Sequence, residues 1–161
     1  MATSRYDDGI VGPPPHNRAV SRYNPWRDLR DNWPEVRVVF EAMPGDLLGE
    51  LRYPVLALRA GTSAAQRRCT LTHEIVHLER GVRDCGPWAA REERFVHDEA
   101  ARRLLPLDLL ATAIRDAGGT HDLAAIARAL DVDSETLRLR LDLVTAAERH
   151  AINRTLTRGS W

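Results

Sequence analysis

Residues 70–80 have the sequence TLTHEIVHLER, which contains a His-Glu-x-x-His motif. Residues four apart on a helix lie on the same face, so His73 and His77 can direct two imidazoles toward one point. Two imidazoles are two of the three protein ligands that a catalytic zinc ion uses. Glu74 follows the first histidine, where its carboxylate can take a proton from a water activated by the metal. The motif therefore predicts a metal site on a helix.

Apolar residues surround this motif. Leu71, Ile75 and Leu78 are spaced four and three apart, which forms an apolar stripe on another face of the same helix. Such a stripe predicts a helix that packs in a hydrophobic core, which would fix the positions of its histidines. The alternative interpretation is a surface helix with two histidines and a glutamate by chance. Because a solvated helix has no need of the flanking apolar residues, the sequence favours the metal site.

The composition is typical of a soluble globular protein. The chain has 161 residues, of which 43% are hydrophobic and 29% charged, and its formal net charge is zero. This length suits one domain, or one domain with a small appendage. The neutral balance does not indicate a nucleic-acid partner, and no apolar run is long enough to span a membrane. The N-terminus lacks the hydrophobic centre of a signal peptide, so we expect a cytoplasmic protein with reduced thiols at Cys69 and Cys85.

A small sheet is predicted before the motif helix. Residues 1–22 contain Gly-Pro-Pro-Pro and predict a flexible arm, whereas residues 24–33 begin with Asn-Pro, a signal for the start of a helix. Strands are predicted at residues 36–40, 47–53 and 54–59. No helix fits between these strands, so we expect a largely antiparallel sheet. The sheet and the helices after it predict an α+β fold.

A second helix, predicted from Ala89 to Leu105, provides the candidates for the third metal ligand. Its apolar stripe, extended backward along the helix, passes through Glu93. A carboxylate on such a stripe is costly to bury unless it is paired or bound to a metal, which favours Glu93. Glu92, about 100° around the helix, is the alternative. The stripe consists of Val96, Ala100 and Leu104.

Other side chains are candidates for secondary roles at this site. Cys85 is close enough in sequence to His77 to approach the metal, since thiolates bind zinc strongly, although an ordinary thiol is the default expectation. His97 follows Glu93 by four residues and could form a hydrogen bond that orients a metal ligand, or simply be a polar residue beside the core. The His-Glu-x-x-His motif is typical of zinc metallopeptidases, and such an enzyme also needs a group that stabilises the oxyanion. Spacing does not choose among the candidates, which are Tyr53, Arg80, His97, His121 and His150.

The remainder of the chain predicts further helices. They are expected at residues 107–117, 122–130, 134–143 and 145–156. Ser134 is the predicted N-cap of the third, which forms a helix-turn-helix pattern with the second. The expected organisation is a zinc metallopeptidase domain at residues 23–117, with a C-terminal helical segment, residues 118–161, packed on it.

The helix-turn-helix pattern supports two rival interpretations. The first is a DNA-binding regulator, but the stretch from Asp122 to Trp161 has six arginines and six acidic residues. Since a phosphate-binding face should be clearly basic, a structural role for these helices is favoured. The second is a protein-binding module with a metal site that cleaves nothing. Such a protein has no chemical need of Glu74, so this interpretation ranks below an enzyme.

The two motifs together resemble those of the ImmA/IrrE family of metallo-endopeptidases from phages and other mobile elements. Residues 67–79 resemble the active helix of that family, and residues 93–106, which end in Leu-Leu-Pro, resemble its second motif. The resemblance covers residues 34 to about 145. It implies Zn²⁺ bound by His73, His77 and Glu93, with Glu74 as the general base.

The resemblance also implies a protein substrate, a helix-turn-helix repressor that is cut to release the genes it controls. Two positions depart from the family pattern. Val76 stands where the family often has Gly, and His97 stands where it often has Asn or Asp. Neither is a proposed ligand, but the second departure changes the surroundings of the expected metal site.

Overall fold

A computed structural model of the chain describes residues 22–81, 88–118 and 122–157. Over these residues it has the predicted α+β composition, with seven helices and one three-stranded sheet. None of the helices in this part is long and apolar enough to cross a membrane. The helices are α1 (Pro25–Asn32), α2 (Ala64–Arg80), α3 (Ala89–Leu104), α4 (Leu107–Asp116), α5 (Leu123–Leu130), α6 (Ser134–Asp142) and α7 (Ala146–Thr157). The strands are β1 (Arg37–Glu41), β2 (Gly49–Arg52) and β3 (Val55–Arg59).

Some predictions fall outside the described residues. They concern the arm, apart from its last residue, and the side chains of Cys85 and His121. The division into a domain at residues 23–117 and a segment at residues 118–161 stays a prediction.

The sheet is mixed, so the prediction of a largely antiparallel sheet is wrong. The strand order is β1-β3-β2, with β3 parallel to β1 and antiparallel to β2. The prediction assumed that a parallel pair requires a helix in the connection between its strands, which is the usual case. Here the connection from β1 to β3 contains β2 itself. Because β2 pairs with the far side of β3, the chain returns to the parallel position without a helix.

One hydrophobic core lies between the sheet and α2. The predicted stripe of α2 is buried there, since Leu71 and Ile75 are 0% exposed and Leu78 is 7% exposed. These side chains belong to one cluster with Leu56 and Leu58 of β3. The stripe prediction is therefore confirmed, and this packing holds the motif helix against the sheet.

A second core joins α2 to the C-terminal helices. Cys69 of α2 is buried in one cluster with Leu105, Leu130 and Leu137. Burial raises the pKa of the Cys69 thiol to about 12, so this side chain is a neutral core residue at physiological pH. The motif helix thus contacts one core on the sheet side and another on the side of the C-terminal helices.

The start of α6 differs from the prediction by one residue. The N-cap is Asp133, whose side chain accepts a hydrogen bond from the Thr136 N–H at 2.7 Å, and Ser134 is the first residue of the helix. Both residue types are good N-caps, so the sequence alone did not separate the two positions.

Candidate metal centre

The helix with the His-Glu-x-x-His motif, α2, is fixed at both ends by capping. The Ser63 side chain accepts from the Gln66 N–H at 3.1 Å, and the Gln66 side chain accepts from the Ser63 N–H at 3.0 Å, which forms a capping box. At the other end, Gly81 adopts a left-handed conformation with φ of 65°. Its N–H donates to the carbonyl oxygen of His77 at 3.1 Å, so the last turn stays helical.

The two histidines of the motif lie one turn apart on α2 and meet at their ring nitrogens. Nε2 of His73 is 3.1 Å from Nε2 of His77. Their side chains are 18% and 16% exposed, so both rings are largely enclosed but still reach the surface. The pair therefore presents two nitrogen atoms to one small volume near the protein surface.

A third possible ligand comes from α3. Oε1 of Glu93 lies 3.1 Å from Nε2 of His77, and Oε2 lies 3.4 Å from Nε2 of His73. One ligand atom from each of the three residues lies within 4.8 Å of the other two, an arrangement that could hold a metal ion. Within the described part of the chain, no other group of three such side chains does so.

Packing between α2 and α3 determines this arrangement. Val76 of α2 forms a small cluster with Val96 and Ala100 of α3, and all three are buried. Val76 adjoins His77, and Val96 is one turn from Glu93, so the cluster sets the distance between the ligand-bearing turns. The predicted stripe of Val96, Ala100 and Leu104 is buried as expected.

The alternative ligand, Glu92, faces another partner. Its carboxylate forms a two-point ion pair with the Arg80 guanidinium, in which Nη2 donates to Oε2 at 2.8 Å. The Arg80 guanidinium also lies over the Phe95 ring, 4.1 Å from its centroid. The Glu92 side chain is 14% exposed and that of Glu93 is 50% exposed. The cost of burial, which favoured Glu93 in the sequence, would thus have selected Glu92. The two differ in the direction of their side chains, because Glu92 points to Arg80 and Glu93 points to the histidines of α2.

Glu74 is the buried carboxyl beside the histidines. It is 6% exposed. Burial, followed by the negative charges of Glu93 and Glu50, raises the pKa of its carboxyl to about 7. A carboxyl with this pKa can accept and release a proton near neutral pH.

The environment of His73 keeps its imidazole neutral. Burial, followed by the positive charges that His97 and His77 could acquire, lowers its pKa to about 3. Because only a neutral imidazole nitrogen can bind a metal, this environment leaves the His73 ring ready to act as a ligand at physiological pH.

His97 borders the same group of side chains. Its ring centroid is 4.4 Å from that of His73, and its Nε2 is 4.0 Å from Oε2 of Glu93. Two other candidates for the oxyanion group have other partners, since the Tyr53 hydroxyl donates to Glu35 at 2.9 Å and Arg80 pairs with Glu92. His150 is an exposed residue of α7.

Gly49 of β2 is a residue of the site that the sequence analysis missed. A Cβ atom at this position would lie 2.4 Å from Cγ2 of Thr70 and 3.1 Å from Oε1 of Glu74. The backbone of β2 can therefore approach α2 beside Glu74 only because residue 49 has no side chain. A glycine inside a predicted strand often marks such a close approach, and it was the available signal.

Comparison with known protein families agrees with this geometry. The family model described as the IrrE N-terminal-like domain, a peptidase family, matches residues 34–142, which include both helices that form the site. No curated protein and no solved structure matches the chain significantly. The match spans more than half of the chain, and the chain therefore belongs to the ImmA/IrrE family of metallopeptidases.

Proposed function

We propose that this metallopeptidase is a zinc-dependent endopeptidase that cuts a regulatory protein at a specific site. The observation that supports this proposal most strongly is the convergence of His73, His77 and Glu93 beside a buried Glu74. Three neutral or anionic ligands leave one position open in a tetrahedral metal site, as catalytic zinc sites require. Glu74 directly follows the proposed ligand His73 in the sequence, and its raised pKa suits it to proton transfer.

The distances between ligand atoms suit zinc. Zn–N and Zn–O bonds of about 2.0–2.1 Å in a tetrahedral site place neighbouring ligand atoms about 3.3 Å apart. The closest separations here are 3.1 Å, 3.1 Å and 3.4 Å. Two imidazoles and one carboxylate also favour zinc over magnesium or calcium, which prefer oxygen ligands alone. When bound, zinc supplies a Lewis acid that activates water and polarises the scissile carbonyl.

Glu74 is the proposed general base. Its carboxylate takes a proton from the attacking water and then delivers that proton to the departing amine, so the carboxylate is regenerated in each cycle. The raised pKa, about 7, allows both transfers at neutral pH. Its burial keeps bulk water away from the proton during the transfer.

The edge strand β2 is the proposed place where the substrate backbone binds. Strand β2 pairs with β3 on one side and, among the described residues, with no strand on the other. Gly49 brings this strand against Glu74. An extended peptide that pairs with the open edge would therefore run past the general base.

The identity of the substrate as a helix-turn-helix repressor rests on the resemblance to ImmA/IrrE proteins of mobile elements. A direct test is to co-express the protein with each helix-turn-helix regulator encoded beside its gene and to search for new protein N-termini by mass spectrometry. We expect one cut in one regulator. A matched Glu74→Gln variant should retain zinc and lose cleavage by about 100-fold or more.

Two outcomes would count against this proposal. If the zinc-loaded, folded protein left every regulator intact, the proposed substrate class would be wrong. Equal cleavage by zinc-loaded Glu74→Gln would remove Glu74 from its role as the base.

A further inference from the structure

We propose that His97 is a further catalytic residue, whose ring N–H donates a hydrogen bond to the scissile carbonyl oxygen as that oxygen becomes an oxyanion. This inference rests on the proposed peptidase function and assigns a role that spacing left open among five side chains. No covalent bond to His97 forms, and the donated proton stays on its nitrogen.

The position of His97 supports this role. It lies one helical turn after Glu93 on α3, and its ring is tilted by 54° against that of His73 with 4.4 Å between centroids. Its Nε2 is 4.0 Å from Oε2 of Glu93, the oxygen that approaches His73. The imidazole of His97 therefore borders the volume that the three proposed ligands share.

The same geometry argues against His97 as a metal ligand. Its distance of 4.0 Å from the nearest Glu93 oxygen exceeds the separations of 3.1 Å to 3.4 Å within the ligand group. The His97 side chain is also 56% exposed, whereas those of His73 and His77 are 18% and 16% exposed. It lies on the solvent side of the group, where a substrate must enter. Its ring is therefore accessible to a substrate carbonyl oxygen that approaches the proposed metal site.

Two other described candidates have competing contacts, and His150 is an exposed residue of α7. Arg80 is held by the Glu92 carboxylate and lies over the Phe95 ring, and the Tyr53 hydroxyl donates to Glu35. His97 lies beside two proposed ligands, His73 and Glu93. Removal of one oxyanion donor typically lowers kcat by about 10²–10³-fold.

The test compares the wild type with His97→Ala and with Arg94→Ala, a control at an exposed position of the same helix. Four quantities are measured for each protein. They are the zinc dissociation constant by chelator competition, the dissociation constant of the tetrahedral phosphoramidate N-phosphoryl-leucinamide, and kcat and KM on the regulator that the wild type cleaves.

We expect His97→Ala to bind zinc within about twofold of the wild type, because Nε2 of His97 is 4.0 Å from the Glu93 carboxylate, too far for a hydrogen bond that would orient this ligand. The phosphoramidate should bind at least about tenfold more weakly, and kcat should fall by about 10²–10³-fold with KM little changed. Arg94→Ala should match the wild type in all four quantities.

Two results would overturn this inference while leaving the peptidase function intact. One is a loss of zinc affinity of about tenfold or more in His97→Ala, which would show that His97 orients a metal ligand. The other is unchanged phosphoramidate binding and unchanged kcat. A wild type that binds zinc but cleaves no protein would refute the peptidase function itself, and the role of His97 with it.

Discussion

Oε1 of Glu93 lies 3.1 Å from Nε2 of His77, although the two residues belong to different helices. The contact depends on the packing of Val76 against Val96 and Ala100, which holds α3 beside the second half of α2. The candidate metal centre is therefore a product of the fold, because only two of its three residues come from one local motif. This dependence leads to predictions about both stability and metal binding.

Glu74 should make the metal-free protein less stable at alkaline than at acidic pH. Its pKa is about 7 in the folded chain and 4.5 without the fold, so folding favours the protonated carboxyl. The resulting cost is absent below pH 4.5, grows between pH 4.5 and 7, and is constant above pH 7. It can reach about 3 kcal/mol. Glu74→Gln should thus raise stability at pH 8 and leave it unchanged at pH 4.5.

Urea unfolding in the presence of a chelator, at both pH values, measures this difference. Glu135→Gln, a change at an exposed position in the first turn of α6, is the control and should alter stability by less than about 1 kcal/mol. If Glu74→Gln changed the free energy of unfolding equally at both pH values, folding would not raise the pKa of the Glu74 carboxyl.

Arg68 should be far more important for stability than its neighbour Arg67. The Arg68 guanidinium is buried and donates to the carbonyl oxygens of Asp131 at 2.8 Å, Leu130 at 3.3 Å and Tyr23 at 2.9 Å. Two of these carbonyls lie at the end of α5, where helices leave acceptors without partners. Arg68→Met should cost about 2–4 kcal/mol in the free energy of unfolding.

Arg67→Met is the matched control for this change. The Arg67 guanidinium lies over the partly exposed Phe40 ring, 5.6 Å from its centroid, so its loss should cost less than about 1 kcal/mol. Equal destabilisation by the two substitutions, measured by urea unfolding, would contradict the assigned role of Arg68.

A side chain at residue 49 should force β2 away from α2. Gly49→Ala places a Cβ atom 2.4 Å from Cγ2 of Thr70, and we expect a loss of about 1–3 kcal/mol in the free energy of unfolding. Thr70→Ser removes that methyl group. The double variant should therefore recover part of the loss, with a coupling energy of about 0.5 kcal/mol or more. Strictly additive effects in this double-mutant cycle would show that the two residues do not collide.

The motif helix depends mostly on local signals. Ser63 and Gln66 form a capping box and Gly81 ends the helix, so both boundaries depend on nearby residues. His73 and His77 meet because a helix places residues four apart on one face. These features needed no information about the rest of the chain.

The remaining features depend on contacts between distant segments. Spacing alone did not show that β1 and β3 pair in parallel, because that requires β2 to take the far edge of the sheet. The argument from burial likewise would have selected Glu92, which is the less exposed of the two, instead of Glu93. That distinction follows from Arg80, which attracts the former carboxylate, and from the histidines of α2, which face the latter.

The central claim, that His73, His77 and Glu93 hold a catalytic zinc ion, is tested most directly by the zinc content of purified, folded protein. The measurement compares the wild type with Glu93→Ala and with Glu92→Ala, its neighbour on α3. We predict about one zinc per chain in the wild type and in Glu92→Ala, and a large loss in Glu93→Ala, because removal of one ligand from a three-ligand site weakens binding strongly. A folded wild type that takes up no zinc after reconstitution, or a loss with Glu92→Ala instead, would contradict the claim.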